Sequence, residues 1–179
     1  MLTRRAILPD VEQIHKLIAV YSPDGTLLPR TLAELSENVR DFTVVEDKGV
    51  IIACGALHFY GRHLTEIRSI AVSPKYKGNG AGRVLIEALL EEAEHHKIRC
   101  VCLFTRIPDF FAKFGFEYAS REVLPDKIYK DCQTCPRLYA CDEVAMVRGP
   151  LPNIAVLGPR EPQLPELVQI NPLAPTGTR

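Results

Sequence analysis

The sequence has no excess of charge of either sign: Lys plus Arg and Asp plus Glu both number 22, for a formal net charge of zero. Neither a polyanion nor an anionic membrane surface gains electrostatically from such a chain, so no nucleic-acid and no membrane partner is expected. It has no apolar run approaching the roughly 20 residues that a transmembrane helix needs. Its N-terminus, Met1 to Arg5, passes through a short apolar stretch into Pro9-Asp10, which is too brief for an export signal. Without export, the six cysteines read as reduced thiols and the expected compartment is the cytoplasm. There is no internal repeat. What the sequence does have is ordinary globular composition over 179 residues, 46% hydrophobic and 25% charged, enough for one domain with a real core.

The hydrophobic period changes along the chain. Residues 2–7 alternate loosely, as a first strand would. Val11, Ile14, Leu17 and Ile18 share a helical face, and Pro23-Asp24-Gly25 ends the segment. Thr31 and Glu34 have capping-box spacing ahead of Leu32, Leu35 and Val39, which predicts a second helix. Strands are expected at 42–46, 50–58 and 66–72, then a loop at 74–80 and a long amphipathic helix at 81–96. A buried strand at 99–105, a short helix at 108–114 and strands at 116–120 and 143–148 complete the pattern. From Gly149 onward the composition shifts: seven of the 14 prolines and no aromatic residue fall there. That predicts two regions, a folded domain at 1–148 and a Pro-rich, disordered tail at 149–179.

The most informative stretch is Lys77-Gly78-Asn79-Gly80-Ala81-Gly82, set between a strand and the long helix. A pyrophosphate needs several backbone N–H donors aimed into one small space. Glycines let the backbone approach, and the helix adds its N-terminal dipole and unpaired N–H groups. A Walker loop is excluded because Gly82 is followed by Arg83 rather than by Lys-Ser/Thr. A dinucleotide fold is excluded because its glycines follow the first strand of a parallel sheet, whereas two helices and several strands come first here.

Val72 to Leu85 resembles the coenzyme A motif of the GNAT N-acetyltransferases, Arg/Gln-x-x-Gly-x-Gly/Ala, with Lys77 in place of the usual Arg or Gln. Phe110 to Phe116 resembles the second motif of that family, a helix ending in Gly-Phe. The resemblance runs from about Leu2 to Arg148. It implies an α+β fold, a mixed and mostly antiparallel sheet with helices on both faces, splayed after the fourth strand. It implies acetyl-coenzyme A as co-substrate. Backbone contacts to the pantetheine arm would come from Ile70, Ala71 and Val72. The pyrophosphate would sit on the N–H groups of Gly78, Asn79, Gly80, Ala81, Gly82 and Arg83, with Lys75, Lys77 and Arg83 within reach as cations that also read as plain surface charges. A protonated amine acceptor calls for a base. Glu66 is the candidate, at the start of a strand in an otherwise apolar region, with His58 and His63 as weaker alternatives. The position where many family members have a tyrosine acid is Phe111 here, which cannot donate a proton, leaving Thr105, a water or an unprotonated thiolate.

Outside the shared motifs, Gly25 to Thr31, Asp41 to Glu46, Ala53 to Leu57 and Leu124-Pro125-Asp126-Lys127 resemble the acetyltransferase domain of the N-acetylglutamate synthases, in a short form without an amino-acid-kinase domain. That likeness implies L-glutamate as the small-molecule acceptor, a place in arginine biosynthesis, and Arg30 and Arg137 as its carboxylate partners. Arginine suits the task because its planar fork pairs bidentately with carboxylates. Lys127 and Lys130 are further basic residues in this region, read as surface rather than site. Cys132, Cys135 and Cys141 have C-x2-C-x5-C spacing. A structural zinc site wants four ligands, so three ordinary thiols are the favoured reading and zinc the lesser one; no metal is assigned. Self-association is left open. Two alternatives to the glutamate reading stand: the same fold acting on another small amine or a protein amine, or a non-catalytic coenzyme A-binding module.

Overall fold

The computed structural model describes residues 1–135 and 137–152, so most of the tail expected at 149–179 lies outside the described residues. In chain order the elements are β1 (Leu2–Arg5), α1 (Val11–Ala19), α2 (Leu32–Glu37), β2 (Phe42–Asp47), β3 (Val50–Phe59), β4 (Thr65–Val72), α3 (Ala81–His95), β5 (Val101–Thr105), α4 (Pro108–Ala112), β6 (Glu117–Ala119), α5 (Pro125–Lys130) and β7 (Val144–Arg148). The expected elements are all present, with ends shifted by one or two residues in either direction. Thr31 caps α2 as predicted: its hydroxyl accepts from the Glu34 N–H at 3.2 Å, and the Glu34 carboxylate accepts from the Thr31 N–H at 2.8 Å. Helix α5 was not anticipated, because its six residues are too few to show a period.

The seven strands form one sheet in the order β1-β2-β3-β4-β5-β7-β6. All neighbours are antiparallel except β4 and β5. Alternation along the strands sends Val45, Leu57, Ile67 and Leu103 to one face, where they pack on Leu85, Ile86 and Leu89 of α3. Val44, Cys54, Ala56 and Ala71 go to the other face, under Ile14, Leu17 and Ile18 of α1 and Leu35 of α2. Ile51 and Ile52 face opposite cores, and Ile52 and Ala53 share one. The irregularity in pairing between β2 and β3 inserts one extra β3 residue and resets the alternation. Gly55 lies on the α3 face: a Cβ there would come within 3.1 Å of Leu89 and 3.3 Å of Leu85, so the missing side chain lets α3 settle close to the sheet. Leu57, Leu85 and Leu89 are fully buried. Shortening any of them to Ala costs about 2–5 kcal/mol.

Two irregularities shape the site. Strand β4 carries one more residue than β3 between Arg68 and Ala71, and Ser69 sits there at φ +54°, so the strand bends. Beyond that, β4 and β5 share only two register pairs, Thr65 with Val101 and Glu66 with Cys102, and then part. The β4 edge from Ile67 to Val72 therefore borders a wedge instead of a neighbouring strand. The Ser73 N–H bonds to Ile52 on β3 at 2.7 Å. By alternation the Val72 N–H and C=O point away from β3, toward the wedge.

Candidate active site at the splay of the sheet

The coenzyme-motif residues surround one end of this wedge. After β4, Pro74–Tyr76 makes one tight turn, and Gly78 and Gly80 follow at φ +82° and +83°, a region that costs residues with a Cβ. Gly80 is the N-terminal cap of α3, whose first intrahelical bond runs from the Val84 N–H to the Gly80 carbonyl at 3.1 Å. The N–H groups of Ala81, Gly82 and Arg83 precede that bond and have no intrahelical acceptor. Gly82 faces Val72 and Phe110 without crowding. Lys75, Lys77 and Arg83 are exposed; Lys77 lies 4.9 Å over the Tyr21 ring, and Arg83 pairs with Glu87 at 2.9 Å. The Tyr21 hydroxyl donates to the Val72 carbonyl, tying the loop after α1 to the end of β4. This arrangement suits a diphosphate at the head of α3 and an extended amide-bearing arm along Ile70, Ala71 and Val72.

Glu66 stands where the wedge opens. It is only 2% exposed, but its surroundings are not apolar, contrary to expectation. Lys127 places its ammonium 2.8 Å from Glu66 Oε1. The Tyr60 hydroxyl lies 2.8 Å from Glu66 Oε2 and 2.7 Å from Asp131 Oδ2. The same Asp131 oxygen takes Lys127 Nζ at 3.1 Å and Arg68 Nη1 at 3.4 Å. The local fold explains the gathering. Glu66 and Arg68 share one β4 face by alternation. His58 is the cross-strand partner of Glu66, and Tyr60 follows two residues later on the same face. Lys127 and Asp131 are four apart on α5 and its C-terminal cap, hence on one helix face. Leu124, fully buried beside Cys100, Cys102 and Val147, anchors α5 to the sheet. Reading Lys127 as a surface residue is thus corrected: it is well buried against Glu66, while Lys130 stays exposed, 5.5 Å over the Tyr60 ring.

Burial acts against charge at Lys127 and Asp131, yet pairing prevails at both. The Lys127 ammonium loses hydration, but the Glu66 and Asp131 carboxylates more than compensate and hold its pKa above the ordinary lysine value. Asp131 is also desolvated, and the Tyr60 hydroxyl with Lys127 and Arg68 holds it below the usual carboxylate range. Burial and the two carboxylates push the Tyr60 phenol far up, so it stays protonated.

The remaining candidates fall elsewhere. His58 faces Asp41 at 3.3 Å and His63 faces Asp126 at 3.0 Å, so both alternative bases already have carboxylate partners. Phe111 is buried in the α3-side core against Phe110 and Phe116. Thr105 Oγ1 is 6% exposed with its residue and accepts the Ile107 N–H at 3.0 Å. Arg30 is half-buried just ahead of α2 and makes no hydrogen bond or ion pair among the described residues. Arg137 instead holds the Gly25 carbonyl at 3.2 Å and Asp142 at 3.3 Å. It lies so close that a Cβ on Gly25 would collide with it. Arg106 joins the same knot, 2.7 Å from Asp142 and 3.1 Å from the Thr26 carbonyl. Cys132, Cys135 and Cys141 are half-buried thiols, and among the described residues no group of His, Cys, Asp and Glu has metal-binding geometry. Among those residues, too, no helix is long and apolar enough to cross a membrane.

Comparison with known proteins agrees with this geometry. Residues 9–116 match the Acetyltransferase (GNAT) family, so the chain belongs to that family. It is an acyltransferase whose co-substrate is acetyl-CoA. An uncharacterized N-acetyltransferase of Chlorobaculum tepidum is 37% identical over 81% of this chain and 94% of its own length. An amino-acid acetyltransferase of Mycobacterium tuberculosis is 37% identical over 63% of this chain and 66% of its own. Among solved structures, N-acetylglutamate synthase from Neisseria gonorrhoeae, complexed with coenzyme A and N-acetyl-glutamate, superposes with a TM-score of 0.75 at 27% identity. The match covers 83% of this chain and 34% of the synthase. The chain thus spans only part of the length of the relatives whose activity is named.

Proposed function

We propose that this protein transfers the acetyl group of acetyl-CoA to the α-amine of L-glutamate by direct attack in a ternary complex, the N-acetylglutamate synthase reaction that opens arginine biosynthesis in the cytoplasm. The observation that carries the reading is Glu66: a carboxylate buried where the sheet splays, one strand-length from the glycine turn that heads α3. The likeness to amino-acid acetyltransferases and to a synthase holding N-acetyl-glutamate supports the choice of acceptor.

In this reading Ile70, Ala71 and Val72 pair with the pantetheine arm, and Lys77 and the backbone from Gly78 to Arg83 hold the diphosphate. Glu66 accepts the proton of the incoming ammonium. The neutral amine attacks the thioester carbonyl, the C–S bond breaks, and the second proton shed by the nitrogen passes through water to the thiolate, or to solvent if the thiolate leaves unprotonated. Arg30 takes a substrate carboxylate. Arg137 takes the other by exchanging its bonds to Gly25 and Asp142, which lie at the end of its fork.

Thiol release from acetyl-CoA, measured with L-glutamate, other L-amino acids and polyamines side by side, tests the reading. Saturable turnover confined to glutamate is expected. Turnover with a different amine would replace the acceptor. Coenzyme A binding without turnover would make the chain a binding module.

A further inference from the structure

The Tyr60 hydroxyl poses a counting problem. It has one hydrogen and two carboxylate neighbours, Glu66 Oε2 at 2.8 Å and Asp131 Oδ2 at 2.7 Å. Ionised carboxylates only accept, so a single O–H cannot satisfy both along straight bonds. Asp131 Oδ2 also takes Lys127 and Arg68, so that oxygen is already well supplied with donors. Whichever carboxylate takes the Tyr60 hydrogen, a lone pair of the Tyr60 oxygen is left facing the other. A proton on Glu66 Oε2 makes both contacts good hydrogen bonds at once, the Glu66 O–H donating to Tyr60 and the Tyr60 O–H to Asp131. The two Tyr60 contacts are therefore one proton short between them, and a proton taken up by the proposed base fills the gap.

We infer that Tyr60 and Asp131 form a proton relay that empties Glu66 between turnovers. The inference rests on Glu66 being the base of an amine acetylation. Glu66 takes a proton from the acceptor ammonium onto Oε2. The Glu66 O–H then donates to the Tyr60 oxygen as the Tyr60 O–H passes its hydrogen to Asp131 Oδ2. This is one concerted shift, in which one O–H bond breaks as another forms and tyrosine never carries two protons. Asp131 releases the proton to water. The burial gradient fits this direction: the Glu66 side chain is 2% exposed and that of Asp131 is 27%. A buried base with no such outlet would have to reach solvent through the substrate site. Asp131 does not retain the proton, since the nearby cations favour its ionised form.

The charged and titratable groups around the relay come from every element packed on it. Lys127 and Lys130 come from α5, Arg68 from β4, His58 from β3 with its ring 5.0 Å from that of Tyr60, and Cys102 from β5 as the register partner of Glu66. Lys127 keeps its charge at neutral pH and fixes Oε1, leaving Oε2 as the working oxygen.

Tyr60→Phe keeps the ring and its contacts with His58 and Lys130 while removing the relay hydroxyl; Asp131→Asn keeps shape but cannot take up the proton. Each is compared with the unaltered full chain and with Glu66→Gln, using acetyl-CoA and whichever L-amino acid of a panel turns over fastest. The expected result is a kcat loss of about 10–100-fold in Tyr60→Phe and Asp131→Asn. The KM for acetyl-CoA stays unchanged, the solvent deuterium isotope effect is altered, and the deficit shrinks as pH rises and the amine arrives neutral. Wild-type kcat, isotope effect and pH profile in both variants, alongside an inactive Glu66→Gln, would overturn the relay and leave the base standing. So would a kcat loss that is constant across pH, which marks a purely structural role. Full activity in Glu66→Gln, or no turnover with any amino acid, would overturn the base and the relay together.

Discussion

The two halves of the site are built by different means. On the proposed coenzyme side, from Val72 to Arg83, the groups on offer are backbone N–H and C=O, presented by two positive-φ glycines and the first turn of a 15-residue helix. On the acceptor side the groups are side chains: Tyr60, Glu66 and Arg68 from one hairpin, and Lys127 and Asp131 from a six-residue helix and its cap about 60 residues later. A backbone site tolerates almost any side chain but demands particular φ values, so it leaves glycines in the sequence. A side-chain site demands particular groups from distant segments and leaves no local pattern. Substitutions should therefore act differently in the two halves, on chemistry and charge balance in one and on backbone geometry in the other.

The sharpest break on the acceptor side is Glu66→Gln, expected to lower kcat/KM for the amine by about 10²–10⁴-fold while acetyl-CoA binding persists; thiol-release kinetics together with calorimetric coenzyme titration read both. Next comes Lys127→Met. It strands Glu66 and Asp131 with one cation fewer in a buried cluster, and a melting curve should show a loss of about 3–5 kcal/mol. Arg30→Ala should raise the glutamate KM by about tenfold or more through loss of a charge-assisted hydrogen bond, with the acetyl-CoA KM unmoved. On the coenzyme side, Gly80→Ala must place a Cβ at φ +83°, at a strain of about 1–2 kcal/mol, and should raise the acetyl-CoA KM while the amine KM stays put.

The smallest effect is the pH dependence of stability, and it separates the acidic from the basic groups by sign. Asp10, paired with Arg4 at 2.7 Å and 2.9 Å, and Asp131 both have folded pKa values below the usual carboxylate value of about 3.9. Their contribution is complete above that value and is lost as pH falls through the folded values. The Lys127 pKa is raised, so its contribution is complete below about 10.4 and is lost as pH rises through the folded value. Asp10→Asn should flatten the acid limb of a stability curve and leave the alkaline limb, whereas Lys127→Met should change the alkaline limb. Urea melts across pH check both.

Local rules account for what was legible. Thr31 and Glu34 announce a helix because the capping box spans four residues. Gly78 to Gly82 announces the tight turn ahead of α3 because φ is a property of single residues. Glu66 was found as a lone acid in a strand, but its company was not. Lys127 read as one more surface cation, and Tyr60 and Asp131 gave no signal. A capping pattern or a longer period in 121–142 would have revealed α5; Pro125 at its first turn was the available hint. Arg137 was expected to hold a substrate carboxylate; in the structure it rests on Asp142 and, across more than 100 residues, on the Gly25 carbonyl.

The sequence by itself determined the family, the order of elements and the glycine turn ahead of α3, because hydrophobic period, capping and glycine placement are local consequences of covalent geometry. Only the tertiary structure decided that β4 and β5 part after two pairs, that Lys127 neutralises Glu66, and that one tyrosine hydroxyl bridges two carboxylates. Those features depend on separations of a few ångströms between segments far apart in the chain, set by how α5 and the sheet pack together.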